Sequence, residues 1–307
     1  MISFVFSKIL FAEFESDLQL KLILAEPGDT IHLESGMFSI LGTLSMEGKN
    51  NVVIKGSGIN GTILDFSTQV EGAQGLSITN CKNITLEDFS VQDAKGDAIK
   101  CQYVNGITFR RVKTQWLGGP KPTNGAYGLY PVQCKNVLIE HCIAIAASDA
   151  GIYVGQSEDI IVRYSEAFDN VAGIEIENST RADVYGNNVH GNTGGILVFD
   201  LPDLPVKEGR LVRIFDNIIK NNNLDNLKFL EPKDEVKFVI LNRHDYEWCR
   251  DLIYKYKINQ IAHVLISPVY DKLELKEIVK WILEDQLPVR VQTQLHKIIW
   301  DKNTIGV

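Results

Sequence analysis

A step of 22 residues runs through the middle of this chain and constrains its fold more than any other feature. Gly151-Ile152-Tyr153 is followed by Gly173-Ile174-Glu175 and then by Gly195-Ile196-Leu197, each 22 residues on. Asn170 and Asn192 are also 22 apart, and Cys81-Lys82-Asn83-Ile84 returns as Cys134-Lys135-Asn136-Val137. Within each unit apolar residues alternate over short stretches, as in Ile84/Leu86, Ile107/Phe109, Val137/Ile139, Ile160/Val162 and Val212/Ile214. Period-2 alternation marks strands with one buried face. The Gly, Asn and Asp between them tolerate tight turns. One such unit cannot bury its apolar face alone, so neighbouring units must stack and form ladders of like residues. The L-x-x-L-x-L pattern of leucine-rich repeats is absent. The expected fold is therefore mainly β, a right-handed, single-stranded parallel β-helix of about seven coils.

The repeat ends abruptly. Of 24 glycines, 23 lie before residue 224, and three of the four tryptophans lie after it. Residues 224–307 carry 13 basic and 13 acidic residues, so the net charge of −8 belongs to the upstream part. The expected organisation is an N-terminal segment and capping helix at 1–37, a β-helix at 38–225 and an α/β segment at 226–307. Residues 14–25 place Leu18, Leu22 and Ala25 on one helical face, suited to plugging the first coil, whose open edge would invite aggregation. Downstream, apolar patterning gives a small β-α-β-α-β order: a strand at 236–241, a helix at 244–256, a strand at 263–267, a helix around Leu275, Ile278 and Ile282, and a last strand region at 289–300. That order implies parallel strands.

Composition excludes several classes. With 45% hydrophobic and 23% charged residues the chain is neither disordered nor collagen-like. A pI near 5.3 gives no footing for nucleic-acid phosphates. No apolar run reaches the ~18 residues that span a bilayer. Residues 1–12 are apolar but interrupted by Lys8, so they do not read as a cleavable signal. The five cysteines contain no C-x-x-C pair, which leaves no metal site to expect and favours buried thiols.

Two family resemblances follow. GDTIHLESGMFSILGTLSMEGKNNVVIKGSG, TNGAYGLYPVQCKNVLIEHC and SDAGIYVGQSEDIIVRYSEAFDNVAGIEIENS resemble bacterial right-handed β-helix proteins of the pectate-lyase-like superfamily, over about residues 15–226. The resemblance implies a polysaccharide partner, a periplasmic or extracellular setting, and lyase- or epimerase-like chemistry. Such chemistry needs a base beside a uronate carboxylate and a cation to stabilise the charge that develops. The catalytic candidates are Asp149 and Tyr153, near the Gly/Pro-rich insertion at 116–130, with Asp97 and Lys100. Asp93, His141, Arg163, Asp169, His190 and Asp200 are further polar positions on the coils; His190 is expected to be solvated, and the sequence alone does not bring these groups to one point. A second insertion, DLPDLPVKEG, fills 200–209.

NLKFLEPKDEVKFVI, DYEWCRDLI, HVLISPVY and LEDQLPVRVQTQLHKIIW resemble the C-terminal part of 7-carboxy-7-deazaguanine synthase, a radical S-adenosylmethionine family of queuosine and deazapurine biosynthesis. That resemblance implies a cytoplasmic setting and substrate-facing roles for Ser267, Gln292, Gln294 and His296. The parent's S-adenosylmethionine and [4Fe–4S] cluster are not expected here, because the three closely spaced cysteines are missing. The chain thus reads as a chimera with no cofactor of its own.

Overall fold

The computed structural model describes residues 14–220, 227, 230–269, 271–293 and 299. The chain divides into two compact units, Met1–Asn223 and Leu224–Val307.

The first unit is a parallel β-helix. Each full coil contributes one strand to a seven-stranded sheet and, to a fourteen-stranded sheet, either two short strands or one long one (Lys82–Gln92 and Asn105–Gln115), and every strand pair is parallel. One coil consists of Ala150–Gly155, Glu158–Arg163 and Glu166–Phe168; the next consists of Ala172–Glu177, Thr180–Tyr185 and Asn188–His190. Single residues in the left-handed region turn the corners, among them Gln156 (φ 52°), Tyr164 (φ 50°) and Asp169 (φ 59°). The 22-residue repeat is the length of this circuit. It keeps equivalent residues in register, so Ile152, Ile174 and Ile196 pile up and continue downward through Leu129, Ile99, Leu76 and Leu44. A second ladder on the other sheet runs Ile54, Leu86, Phe109, Ile139, Val162, Val184 and Ile214. Burial of each such side chain is worth about 1.5–3 kcal/mol. Among the described residues the last strands of the two sheets, Gly194–Phe199 and Arg210–Phe215, have no further strand paired to them, and their inward residues Val198 and Ile214 are 45% and 42% exposed.

Polar ladders hold the corners. The Asn170 amide nitrogen donates to Asn192 Oδ1 at 3.0 Å, while its oxygen accepts from the Ala147 N–H at 2.9 Å. Asn187 and Asn217 repeat the arrangement at 2.9 Å. Outside the fourteen-stranded sheet, Lys55, Glu87, Arg110, Glu140 and Arg163 occupy successive rungs with alternating sign. Glu140 bridges Arg110 at 2.7 Å and Arg163 at 2.6 Å. Like charges at rung spacing would repel, and alternation removes that cost.

Residues 14–24 are helical and bury Leu18 and Leu22 against the first coil. The helix also satisfies the open strand edge. Glu15 accepts from the Leu41 and Gly42 N–H groups at 2.8 Å, and the Gln19 amide both accepts from and donates to the Ser45 backbone. Coil pairing begins earlier than residue 38, because Thr30–His32 already pairs with Asn50–Lys55.

The second unit has strands Glu235–Ile240, His263–Pro268 and Arg290–Val291 in a parallel sheet, with helices Arg243–Tyr256 and Leu275–Glu284 between them. A short helix, Ile258–Ile261, was not anticipated. The last strand is Arg290–Val291, shorter than the 289–300 expected, and residues 294–298 fall outside the described set along with residues 1–13. Among the described residues no helix is long and apolar enough to cross a membrane.

Candidate functional site

The outward side of the seven-stranded sheet carries a tyrosine cluster that the coil geometry assembles from three places. Tyr130 pairs in register with Lys100 on one side, and Tyr153 pairs with Glu175 on the other. Tyr127 comes from the 116–130 insertion. That loop returns against the preceding coil so closely that a Cβ at Gly125 would collide with the Gly96 carbonyl, which makes glycine necessary there. The three ring centroids lie 4.5–4.9 Å apart. The Lys100 ammonium stands 5.0 Å over the Tyr130 ring. Tyr153 leans over Gly155, where a side chain would clash with its ring, and its hydroxyl donates to Glu177 one rung away.

Carboxyl groups surround the rings. Burial raises Asp97 above the usual carboxylate range despite Lys100 nearby. Burial, then the Asp149 charge, pushes Glu175 from 4.5 up to about 7. Glu177 is raised by burial and by Asp149 and Asp200. Asp200 belongs to the second insertion, which Asn178 ties down by donating to the Leu201 and Val206 carbonyls at 2.9 Å. The phenols respond to the same field: burial, then Asp97 and Glu177, holds Tyr130 at about 12, and burial with Asp149 raises Tyr127 further.

The four residues Asp97, Lys100, Asp149 and Tyr153 thus share one face, although the sequence alone left them scattered. Tyr127, Tyr130, Glu175 and Glu177 are not among the residues singled out beforehand. The 22-residue step from Tyr153 to Glu175 is the signal that could have found one of them.

The remaining coil candidates lie elsewhere. Arg163 belongs to the charge ladder on the fourteen-stranded sheet. His141 stacks on Tyr164 at 5.4 Å. His190, expected to be solvated, instead pairs with Glu166 at 3.0 Å and stacks on Phe168 at 4.9 Å. Asp93 accepts from the Leu117 N–H at 2.9 Å, a loop-holding contact.

In the second unit Ser267 is fully buried, and its hydroxyl has no partner among the described residues. Gln292 is exposed, and its N–H bonds the Ile266 carbonyl at 2.9 Å. Gln294 and His296 lie outside the described residues. All five cysteines are buried and free, and burial pushes Cys134 to about 11 and Cys142 and Cys249 to about 12. Cluster iron requires thiolates. Among the described residues no group of three His, Cys, Asp or Glu could hold a metal ion. These residues do not fit a [4Fe–4S] cluster.

Comparison with known proteins finds likenesses of two kinds. Two curated 7-carboxy-7-deazaguanine synthases are similar to part of the chain. That of Koribacter versatilis (strain Ellin345) is 37% identical over 97 residues, covering 27% of this chain and 43% of the relative. That of Chlorobaculum tepidum is 34% identical over 124 residues, covering 38% of this chain and 54% of the relative. The chain therefore spans about half the length of these relatives. The solved A-module of mannuronan C-5 epimerase AlgE4 from Azotobacter vinelandii superposes with a TM-score of 0.51 at 14% identity, over 84% of this chain and 71% of that one, a likeness of fold. The chimeric reading accords with these matches: a β-helix joined to synthase-like sequence. Residues 42–208 match the family model described as right handed beta helix region, and the chain belongs to that family.

Proposed function

We propose that the tyrosine-walled face of the seven-stranded sheet binds a polysaccharide. The observation that carries this reading is the contact of three tyrosine rings at 4.5–4.9 Å beside buried carboxyl groups. Sugar rings offer C–H faces to aromatic rings and hydroxyl donors to carboxylates, and this face offers both partners. Both insertions feed the same face, as binding loops of solenoids often do. The epimerase module, named for mannuronan, lends support because its fold is similar. A polysaccharide partner fits a periplasmic or extracellular setting for the β-helix unit, whereas the synthase-like sequence fits a cytoplasmic one.

Tyr130→Ala tests the reading, because Tyr130 is half-buried at the edge of the cluster and is not part of the coil core. Affinity electrophoresis against a polysaccharide panel is expected to show binding weakened about tenfold, the ~1.4 kcal/mol scale of one lost aromatic contact. Unchanged affinity in a folded variant would sink it.

The second unit supports a separate reading, as the C-terminal portion of a 7-carboxy-7-deazaguanine synthase, on the strength of the 34–37% identities. On this proposal the chain works without S-adenosylmethionine or a cluster, because its cysteines are dispersed, buried thiols. Reconstitution of the full chain with iron and sulfide is expected to give no cluster absorbance; a stable cluster with deazaguanine product would reverse that assignment.

A further inference from the structure

We infer that this face hydrolyses the glycosidic bonds of a polysaccharide that lacks carboxylates, with Glu175 delivering a proton to the leaving oxygen and Asp149 activating water. The inference rests on the polysaccharide-binding reading above and names its substrate class and chemistry.

Charge selects the substrate. Asp97, Asp149, Glu175 and Glu177 stand on or beside the face, Asp200 acts on Glu177 from the insertion, and the Lys100 ammonium stands over the Tyr130 ring. A polyuronate would bring one more negative charge with every sugar and meet repulsion along the rungs. A neutral glycan brings hydroxyl donors to the same carboxyl groups.

The proton-carrying groups select the reaction. Elimination beside a uronate needs a base and a concentration of positive charge. Tyr127 and Tyr130 are held in the phenol form, and Tyr153 already donates to Glu177. The remaining proton-carrying groups on this face are carboxyls, and paired carboxyls are the machinery of glycoside hydrolysis.

Glu175 is the distinctive member of the set. It is 7% exposed and has no hydrogen-bond partner among the described residues, whereas Glu177, two residues on, accepts from Tyr153. The Glu175 side chain is largely packed away, while its carboxyl oxygens are not among the fully buried atoms, so a ligand can reach them. It sits one rung from Tyr153, on the tyrosine face, where a ligand oxygen can complete it. Its raised proton affinity keeps a carboxylic acid available near pH 7, the condition for general-acid catalysis.

In the step, the Glu175 proton passes to the glycosidic oxygen as the bond from that oxygen to the anomeric carbon breaks. The oxygen of a water molecule forms the new bond to the anomeric carbon, and a water proton passes to Asp149. The products are a new reducing end and a free hydroxyl on the departing chain. Exchange with solvent returns the proton to Glu175 and removes it from Asp149, so one water is consumed per bond.

The full chain should be incubated with a panel of neutral polysaccharides (glucan, galactan, arabinan, xyloglucan) and with alginate and polygalacturonate, with reducing ends, unsaturated uronates and binding followed in parallel. Reducing ends are expected from a neutral polymer, with activity declining as pH rises through about 7. E175Q and D149N are expected to lower the rate about 100-fold or more while binding stays within about threefold. Binding without reducing ends, or undiminished rates in both variants, overturns hydrolysis and leaves the binding reading standing. Unsaturated uronates from either polyuronate overturn the substrate class. Failure to bind any polymer removes the binding reading and the inference together.

Discussion

Ile174→Asp is expected to unfold the β-helix unit at 25 °C, with a loss of more than about 5 kcal/mol. Ile174 is 0% exposed and lies in register between Ile152 and Ile196. Removing its side chain from the ladder forfeits about 1.5–3 kcal/mol of burial. The carboxylate that replaces it has no cation in the coil interior, and burying an unpaired charge costs several kcal/mol more. The damage spreads because each rung supplies the burial of its neighbours, so the break separates the coils on either side. Val171→Asp is the control. Val171 lies three residues earlier but is 47% exposed, so its change should stay within about 0.5 kcal/mol. Urea unfolding followed by circular dichroism distinguishes the two variants. A native midpoint for Ile174→Asp would mean that something other than stacked rungs holds the unit together.

The same stacking logic makes the fold legible in the sequence. The step shared by Ile152, Ile174 and Ile196 is the physical circuit of one coil, so it exposed the fold directly. Asn170 and Asn192 were legible for the same reason, since a corner amide bonds its equivalent one turn away. The site was harder. Thirty residues separate Ile99 from its partner Leu129, against 23 from Leu129 to Ile152, because the insertion adds length without adding a rung. Tyr127 and Tyr130 lie in or just beyond that insertion, where counting by 22 loses phase. Glu175 and Glu177 keep phase, yet an outward glutamate on a strand looks like ordinary solvated surface. Their distinction is burial by rings from neighbouring coils, a tertiary property that no local pattern carries. In the second unit the helices announced themselves through Tyr246, Cys249, Ile253, Ile278 and Ile282, all buried. The final strand is read from the sequence at 289–300, but among the described residues it is only Arg290–Val291, too short for its bounds to show as a period.

Glu175→Gln is expected to stabilise the β-helix at pH 8 by on the order of 2 kcal/mol and to change it little near pH 4. The folded-state affinity of Glu175 for its proton is raised, from 4.5 to about 7. Below 4.5 the carboxyl is protonated in both the folded and unfolded chains, and burial carries no charge penalty. Between 4.5 and 7 the unfolded chain loses the proton while the folded chain keeps it, so stability falls as pH rises. Above 7 both are ionised, and the fold bears the full cost of a buried charge beside Asp149. Glutamine keeps the shape and carries no charge at any pH, so its advantage should grow across that window and then level off. Denaturant midpoints for wild type and variant at pH 4, 6 and 8 would trace it. A structural glutamate predicts the reverse, a variant weakened most where the carboxylate is ionised. Stabilisation on neutralising a buried, unpartnered carboxyl is what a group retained for chemistry would show, since functional sites commonly hold charges that the fold alone would discard.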